Sequence, residues 1–195
     1  MFRLRLLRLL AAVAVLALPA FASASAVAST SVPNQQSSIG LPAGKFLVIG
    51  DVARPHILDM ADLQAMPSRT VAVTFRSDKG VEHHVYVGPR LFDVLAQAGP
   101  QFDPAIKNDK LRYFVSVSGS DGYRALVAYG EIDPSFEGKD VLLATSEDGR
   151  SLATEGPQLV VPGDSSGGRY VTNVVRVFLE KPARRVLAKC KASPQ

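Results

Sequence analysis

Between residues 46 and 180 the chain repeatedly alternates apolar and polar positions, the two-residue period of strands with one buried face. Val71, Val73 and Phe75 share one side, with Thr70, Thr74 and Arg76 on the other. Val81, His83, Val85 and Val87 then line up opposite Glu82, His84 and Tyr86, which predicts that the valines and His83 face the core. Ser77-Asp78-Lys79-Gly80 separates these two stretches and suits a hairpin turn. Leu111, Tyr113, Val115 and Val117 form a third stripe, and Val171, Val175, Val177 and Leu179 a fourth, facing away from Thr172, Arg176 and Glu180. Uninterrupted apolar runs at 46–49, 141–144 and 159–161 read as short buried strands.

Helical spacing is rarer. Met60, Leu63 and Met66 recur three apart over 58–66, with Asp59 placed to cap and Pro67 placed to stop. A second helix is predicted over 90–98, where Leu91 and Leu95 lie one turn apart between Gly88-Pro89 and Gly99-Pro100. Two short helices among seven or more strands predict an α+β fold: a mainly β, mixed-sheet domain. The strand-helix alternation of a doubly wound parallel sheet is missing.

The ends differ from this body. Arg3, Arg5 and Arg8 precede an apolar stretch at 9–18, then Pro19 and the small-residue sites Ala20-Phe21-Ala22, Ala22-Ser23-Ala24 and Ala24-Ser25-Ala26. Residues 1–26 therefore read as a signal peptide cleaved between 22 and 28, too short in its apolar part to span a bilayer. The arginines are never adjacent, which predicts the general export route to the periplasm or medium, not the twin-arginine route. Residues 27–43 read as a flexible polar lead-in, 44–181 as one domain, and 182–195 as a basic tail.

Charge narrows the partners. The 22 basic and 18 acidic residues give +4, but three of the arginines belong to the signal and five basic residues lie between Lys181 and the end. The domain between carries 14 basic against 18 acidic residues, which excludes a general electrostatic attraction to nucleic acid. Cys190, in the tail, is the single cysteine, so no internal disulfide supports the core.

Three constellations could carry chemistry. Gly163-Asp164-Ser165-Ser166-Gly167-Gly168 looks like a serine-protease signature, but the inserted serine would displace the oxyanion donors by one residue. A turn needs only the glycines and Asp164. Of His56, His83 and His84, only His84 stands beside other polar groups, and no set of three or four metal ligands accompanies it, so no metal is expected. Ser120-Asp121-Gly122-Tyr123 reads as a hairpin turn that returns the chain at Tyr123.

The order of these pieces resembles the molybdopterin-binding oxidoreductase domain of the sulfite oxidase superfamily, over roughly residues 46–180. The resemblance is carried by Val48-Ile49-Gly50, Asp62-Leu63-Gln64-Ala65-Met66-Pro67, Tyr86-Val87-Gly88-Pro89-Arg90-Leu91, Ser120-Asp121-Gly122-Tyr123, Glu131-Ile132-Asp133-Pro134-Ser135-Phe136, Val141-Leu142-Leu143-Ala144 with Asp148-Gly149, and Gly156-Pro157-Gln158 through Gly168-Arg169-Tyr170-Val171. It implies the sulfite-oxidase molybdopterin-binding fold, molybdopterin as a cofactor, and sulfite- or sulfoxide-type substrates for an active member. It also implies one pocket built from Asp121, Gly122, Tyr123, Glu131, Gly167, Gly168 and Arg169. In that pocket Arg169 meets an anion, the amides of Gly167 and Gly168 donate, and Tyr123 forms a wall.

The chain departs from the pattern where the chemistry would sit. Active members bind molybdenum through a cysteine thiolate on the strand matched by residues 71–76, and that stretch holds none. Gln158 and Thr172 stand where the pattern has basic residues. The resemblance with these departures predicts an exported module without molybdenum that binds a small anionic or pterin-like ligand, or a redox partner protein. An active oxidoreductase and a scaffold docking through its basic tail are the alternatives.

Overall fold

The computed structural model describes residues 44–182; the predicted signal, lead-in and basic tail fall outside them. In chain order the elements are β1 (Lys45–Gly50), β2 (His56–Asp59), α1 (Met60–Gln64), β3 (Ser68–Ser77), β4 (Gly80–Pro89), α2 (Leu91–Ala98), β5 (Phe114–Gly119), β6 (Arg124–Ala128), α3 (Tyr129–Ile132), β7 (Leu142–Ala144), β8 (Ser146–Glu147), β9 (Arg150–Ser151), β10 (Gln158–Val160) and β11 (Val174–Glu180). Strands dominate, helices are short, and the largest sheet is mixed. Among the described residues no helix is long and apolar enough to cross a membrane.

Three sheets surround the core. The largest runs β2-β1-β11-β5-β6, with β1 parallel to β11 and the other neighbours antiparallel. A second runs β3-β4-β8-β9, and β10 pairs with β7 in a third. Phe46, Leu63, Tyr86, Leu91, Leu95, Leu143, Leu159 and Leu179 are sealed between them. Each such side chain contributes roughly 1.5–3 kcal/mol of burial.

Local signals explain the element ends. Asp59 caps α1 by accepting from the amides of Ala61 and Asp62, while Asp62 accepts from the Asp59 amide in return. Gly99 ends α2 in the left-handed region. Gly88 serves packing: a Cβ there would lie 2.3 Å from the Leu143 carbonyl oxygen, so only glycine lets β4 run against β7. Gly156 combines a φ of +86° with equally close contact to Asn173.

Three expectations need correction. On β4 the faces are reversed: Val81 and Val85 are 56% and 42% exposed, His83 is exposed, and Tyr86 is buried with Glu82 and His84 half-buried beside it. Alternation marks two faces without saying which is inside. The large Tyr86 ring, stacked near other aromatics, takes the inner place over the valines. His83 is therefore no core histidine; its Nδ1 meets the Thr74 hydroxyl at 2.8 Å on the outer face. In β11 a bulge between Val174 and Arg176 buries Val174 and leaves Val175 half-exposed. Leu111 stands in a short 3₁₀ turn, 46% exposed, ahead of β5.

Candidate functional site

The hairpin of β5 and β6 turns at Ser120-Asp121-Gly122. The Gly122 amide donates to Gly119 at 3.1 Å, and the Gly119 amide to Tyr123 at 2.9 Å. Gly122 supplies the positive φ of +84°. Asp121 is committed to the turn, its Oδ1 accepting from the Tyr123 amide at 2.9 Å. Tyr123 leaves the turn half-exposed and donates its hydroxyl to the Gly168 carbonyl at 2.5 Å. The turn and the glycine-rich loop thus meet directly, through a carbonyl of Gly168 where the sequence suggested an amide donor.

Arg169 stands at the end of that loop and is doubly held. Asp164 takes it in a two-pronged contact, Nε to Oδ2 at 2.8 Å and Nη2 to Oδ1 at 2.6 Å. From the other side Glu131, on α3, takes Nη1 at 3.1–3.2 Å. Glu131 also accepts from the Ala128 amide at 3.0 Å and lies 3.5 Å from Lys139 Nζ. The bond to Asp164, against burial, raises the Arg169 pKa further above its ordinary value. Burial pushes the Glu131 carboxyl up, but the Ala128 amide and Arg169 outweigh it and the net shift is downward.

The loop itself is pinned to β3. The Arg76 amide donates to the Ser165 carbonyl at 3.0 Å, and a Cβ on Gly167 would fall 3.0 Å from the Phe75 ring. Ser165 and Ser166 form a backbone contact with a strand, with no histidine base beside them among the described contacts. Phe75 packs on Tyr170 with ring centroids 4.4 Å apart. His84 and Tyr86 extend the aromatic group, His84 5.8 Å from Phe75 and Tyr86 6.2 Å from Tyr170.

Beside these rings lies a polar network that sequence reasoning touched only at His84. His84 Nδ1 is 2.8 Å from Asp148 and 3.5 Å from Glu147, and its Nε2 is 3.3 Å from Glu82. The Asp148 contact raises the His84 pKa against the opposing effect of burial. Tyr86 donates to Glu147 at 2.6 Å and accepts from the Gln158 amide at 3.2 Å. Burial first, and the hydrogen bond to Glu147 next, push the Tyr86 phenol far up. Burial likewise pushes Tyr170 to about 12, and its hydroxyl has no hydrogen-bond partner among the described residues. Asp148-Gly149 and Gln158 were visible only as pattern letters; nothing local tied them to His84 and Tyr86, 64 and 72 residues away.

A sequence profile of the oxidoreductase molybdopterin binding domain matches residues 41–180. The chain belongs to the molybdopterin-binding oxidoreductase family. Its fold agrees: the sulfane dehydrogenase SoxCD of Paracoccus pantotrophus superposes with a TM-score of 0.58 at 21% identity. The alignment covers 72% of this chain but 39% of that one. No curated protein matches the sequence.

Family membership raises the question of whether the residues present suit a thiolate-bound, anionic molybdopterin centre. They do not. The strand that would carry the thiolate is β3, and it turns Val73 and Phe75 inward. Phe75 fills the space against Gly167 and Tyr170. Gln158 is buried and spends its amide on Tyr86. Glu82, Glu131, Glu147, Asp148 and Asp164 already engage Arg169, His84, Lys139 and Arg150, so each of these cations is matched by carboxylates before any second anion arrives. Among the described residues no group of three or more His, Cys, Asp and Glu side chains is arranged to hold a metal ion. An open groove of about 570 Å³ lies elsewhere, between Met66–Arg69 and α2.

Proposed function

We propose that this member of the molybdopterin-binding oxidoreductase family is an exported accessory module that acts by binding a partner, without molybdenum turnover at its own centre. One observation carries the reading: Arg169, the cation that the family pattern offers to an anion, is spent on Asp164 and Glu131. The inward Phe75 and the absence of any cysteine from residues 71–76 support it. The arginine-led apolar start at residues 1–26 supports export by the general route to the periplasm or medium.

A small anion or pterin-like ligand at this site would have to displace two carboxylates from Arg169. Binding of a protein partner carries no such cost, which is why it is the favoured form of the accessory role. The competing reading is an oxidoreductase acting on sulfite- or sulfoxide-type substrates, and family membership is its support. Dye-linked sulfite oxidation and sulfoxide reduction, measured on full-length chain from hosts with and without molybdenum-cofactor synthesis, separate the two. The expected result is no difference between hosts. Turnover found only with the cofactor-competent host would establish the enzyme.

A further inference from the structure

The hairpin of β3 and β4 has one face in the core, and among the described residues its β3 edge is uncovered over Thr70–Thr74, the loop at Ser165 closing it at Arg76. Its turn, Asp78-Lys79, makes Ser77 and Gly80 the pair that exchanges hydrogen bonds. By alternation, Arg69, Val71, Val73 and Phe75 also aim their peptide groups at β4. Thr70, Ala72, Thr74 and Arg76 aim theirs away from it. The Arg76 amide confirms this parity, since it reaches out to Ser165. Among the described residues, the outward groups of Thr70, Ala72 and Thr74 meet no backbone partner.

Exposed edges of this length are usually guarded by proline, an inserted bulge or a central charge. β3 has none of these: it pairs with β4 in unbroken register over ten residues, and Arg69 and Arg76 stand only at its flanks. The outer face beside it exposes Val81 and Val85, with the His83–Thr74 pair between them. At its start the edge runs into the open groove lined by Met66, Arg69, Arg90 and Gln97. Arg90 is held there by Asp93 at 2.8–2.9 Å, whereas Arg69 makes no ion pair among the described residues.

We infer that β3 is a docking edge that accepts an extended segment of a partner protein by antiparallel strand addition. The segment carries β-branched residues over Thr70–Thr74, and acidic residues follow them. Antiparallel addition runs the segment toward Ser68, so its C-terminal end enters the groove beside Arg69. Charge selects this occupant: the edge offers two arginines and no acid, which suits acidic flanks and disfavours a second copy of the same basic edge. The surface gives the accessory role its partner class and rests on that reading for its purpose. Its test does not depend on metal content.

The probe is a labelled Thr-Val-Thr-Val-Thr-Asp-Glu peptide titrated into the full chain by fluorescence anisotropy, beside a peptide ending in Lys-Lys. The acidic peptide is expected to bind at least about ten-fold more tightly. Ala72→Pro removes an N–H that points away from β4, so the hairpin keeps its ladder while binding falls at least about ten-fold. Arg69→Glu, on the exposed flank, reverses the preference between the two peptides and guards against a folding defect in the proline variant. Equal binding to wild type and both variants, or no binding of either peptide at millimolar concentration, overturns the inference. So does concentration-dependent dimerisation that Ala72→Pro abolishes, which would make a second copy the occupant. Molybdenum found in the protein with binding intact would remove the accessory reading alone.

Discussion

Arg169, at the end of the glycine-rich loop, and Arg69, at the start of β3, are chemically different places. Arg169 is closed by Asp164 on one side and Glu131 on the other. Arg69 opens onto a groove in which, among the described residues, the nearby ion pair belongs to its neighbours Arg90 and Asp93. A cation that the chain already neutralises supports structure, and its removal strands Asp164 and leaves Glu131 to Lys139. A cation without an internal partner is available for recognition. The family pattern points to the first, and the geometry makes the second the exposed one.

Truncating the two arginines is the most direct way to break this contrast. Arg169→Ala leaves Asp164 half-buried without a counter-charge and Glu131 with Lys139 alone, and is expected to cost about 2 kcal/mol, between the values of surface and buried pairs. Arg69→Ala should leave the urea midpoint unchanged. Equal midpoints for the two variants would end the distinction.

Freeing Arg169 sharpens the contrast from the other side. The double variant Asp164→Asn, Glu131→Gln keeps the shape of the clasp and removes its negative charge. Sulfate at about ten times its dissociation constant should then stabilise that variant by about 1.4 kcal/mol relative to chloride. Wild type should show no difference beyond the general salt effect. Sulfate stabilising both proteins equally would mean that Arg169 is accessible in the native chain.

Tyr86→Phe addresses the wall behind the clasp. It deprives Glu147 and buried Gln158 of their shared partner, at about 1–2 kcal/mol in thermal or urea unfolding. A smaller effect is expected from pH. The His84 pKa is raised in the folded chain, so its contribution is full below the unfolded value of about 6.5 and is lost as pH rises through the folded value. Glu131 has the opposite sign: its folded pKa is lowered, so its contribution is present above about 4.5 and is lost on acidification. His84→Gln should flatten the fall in stability above pH 6.5, an effect of under about 1 kcal/mol. It should leave the acid limb intact. A variant that retains the alkaline fall would place its origin elsewhere.

Much of the frame could be read from the chain because its signals are local. Asp59, Pro67 and Gly99 mark helix ends within a few residues of their effect, and Ser120-Asp121-Gly122 builds its turn from its own atoms. Strand faces were less legible. Glu82, His84 and Tyr86 look like a solvent face until Phe75 and Tyr170 arrive from other parts of the chain. The β11 bulge likewise depends on pairing with β5. At the site, Arg169 and Glu131 could be named from the resemblance, but not that they would bind each other, since 38 residues separate them. In sequence Asp164 looks like part of a turn, and its capture of Arg169 depends on how the glycines fold the loop back.

The claim that this site is closed to a thiolate-bound molybdopterin centre has one direct test. Full-length protein is produced in its native compartment by a cofactor-competent host, purified without chelators, and assayed for molybdenum by mass spectrometry and for pterin by fluorescence after oxidation. The closed site predicts both at far below one per chain. Molybdenum and pterin together at one per chain would contradict it.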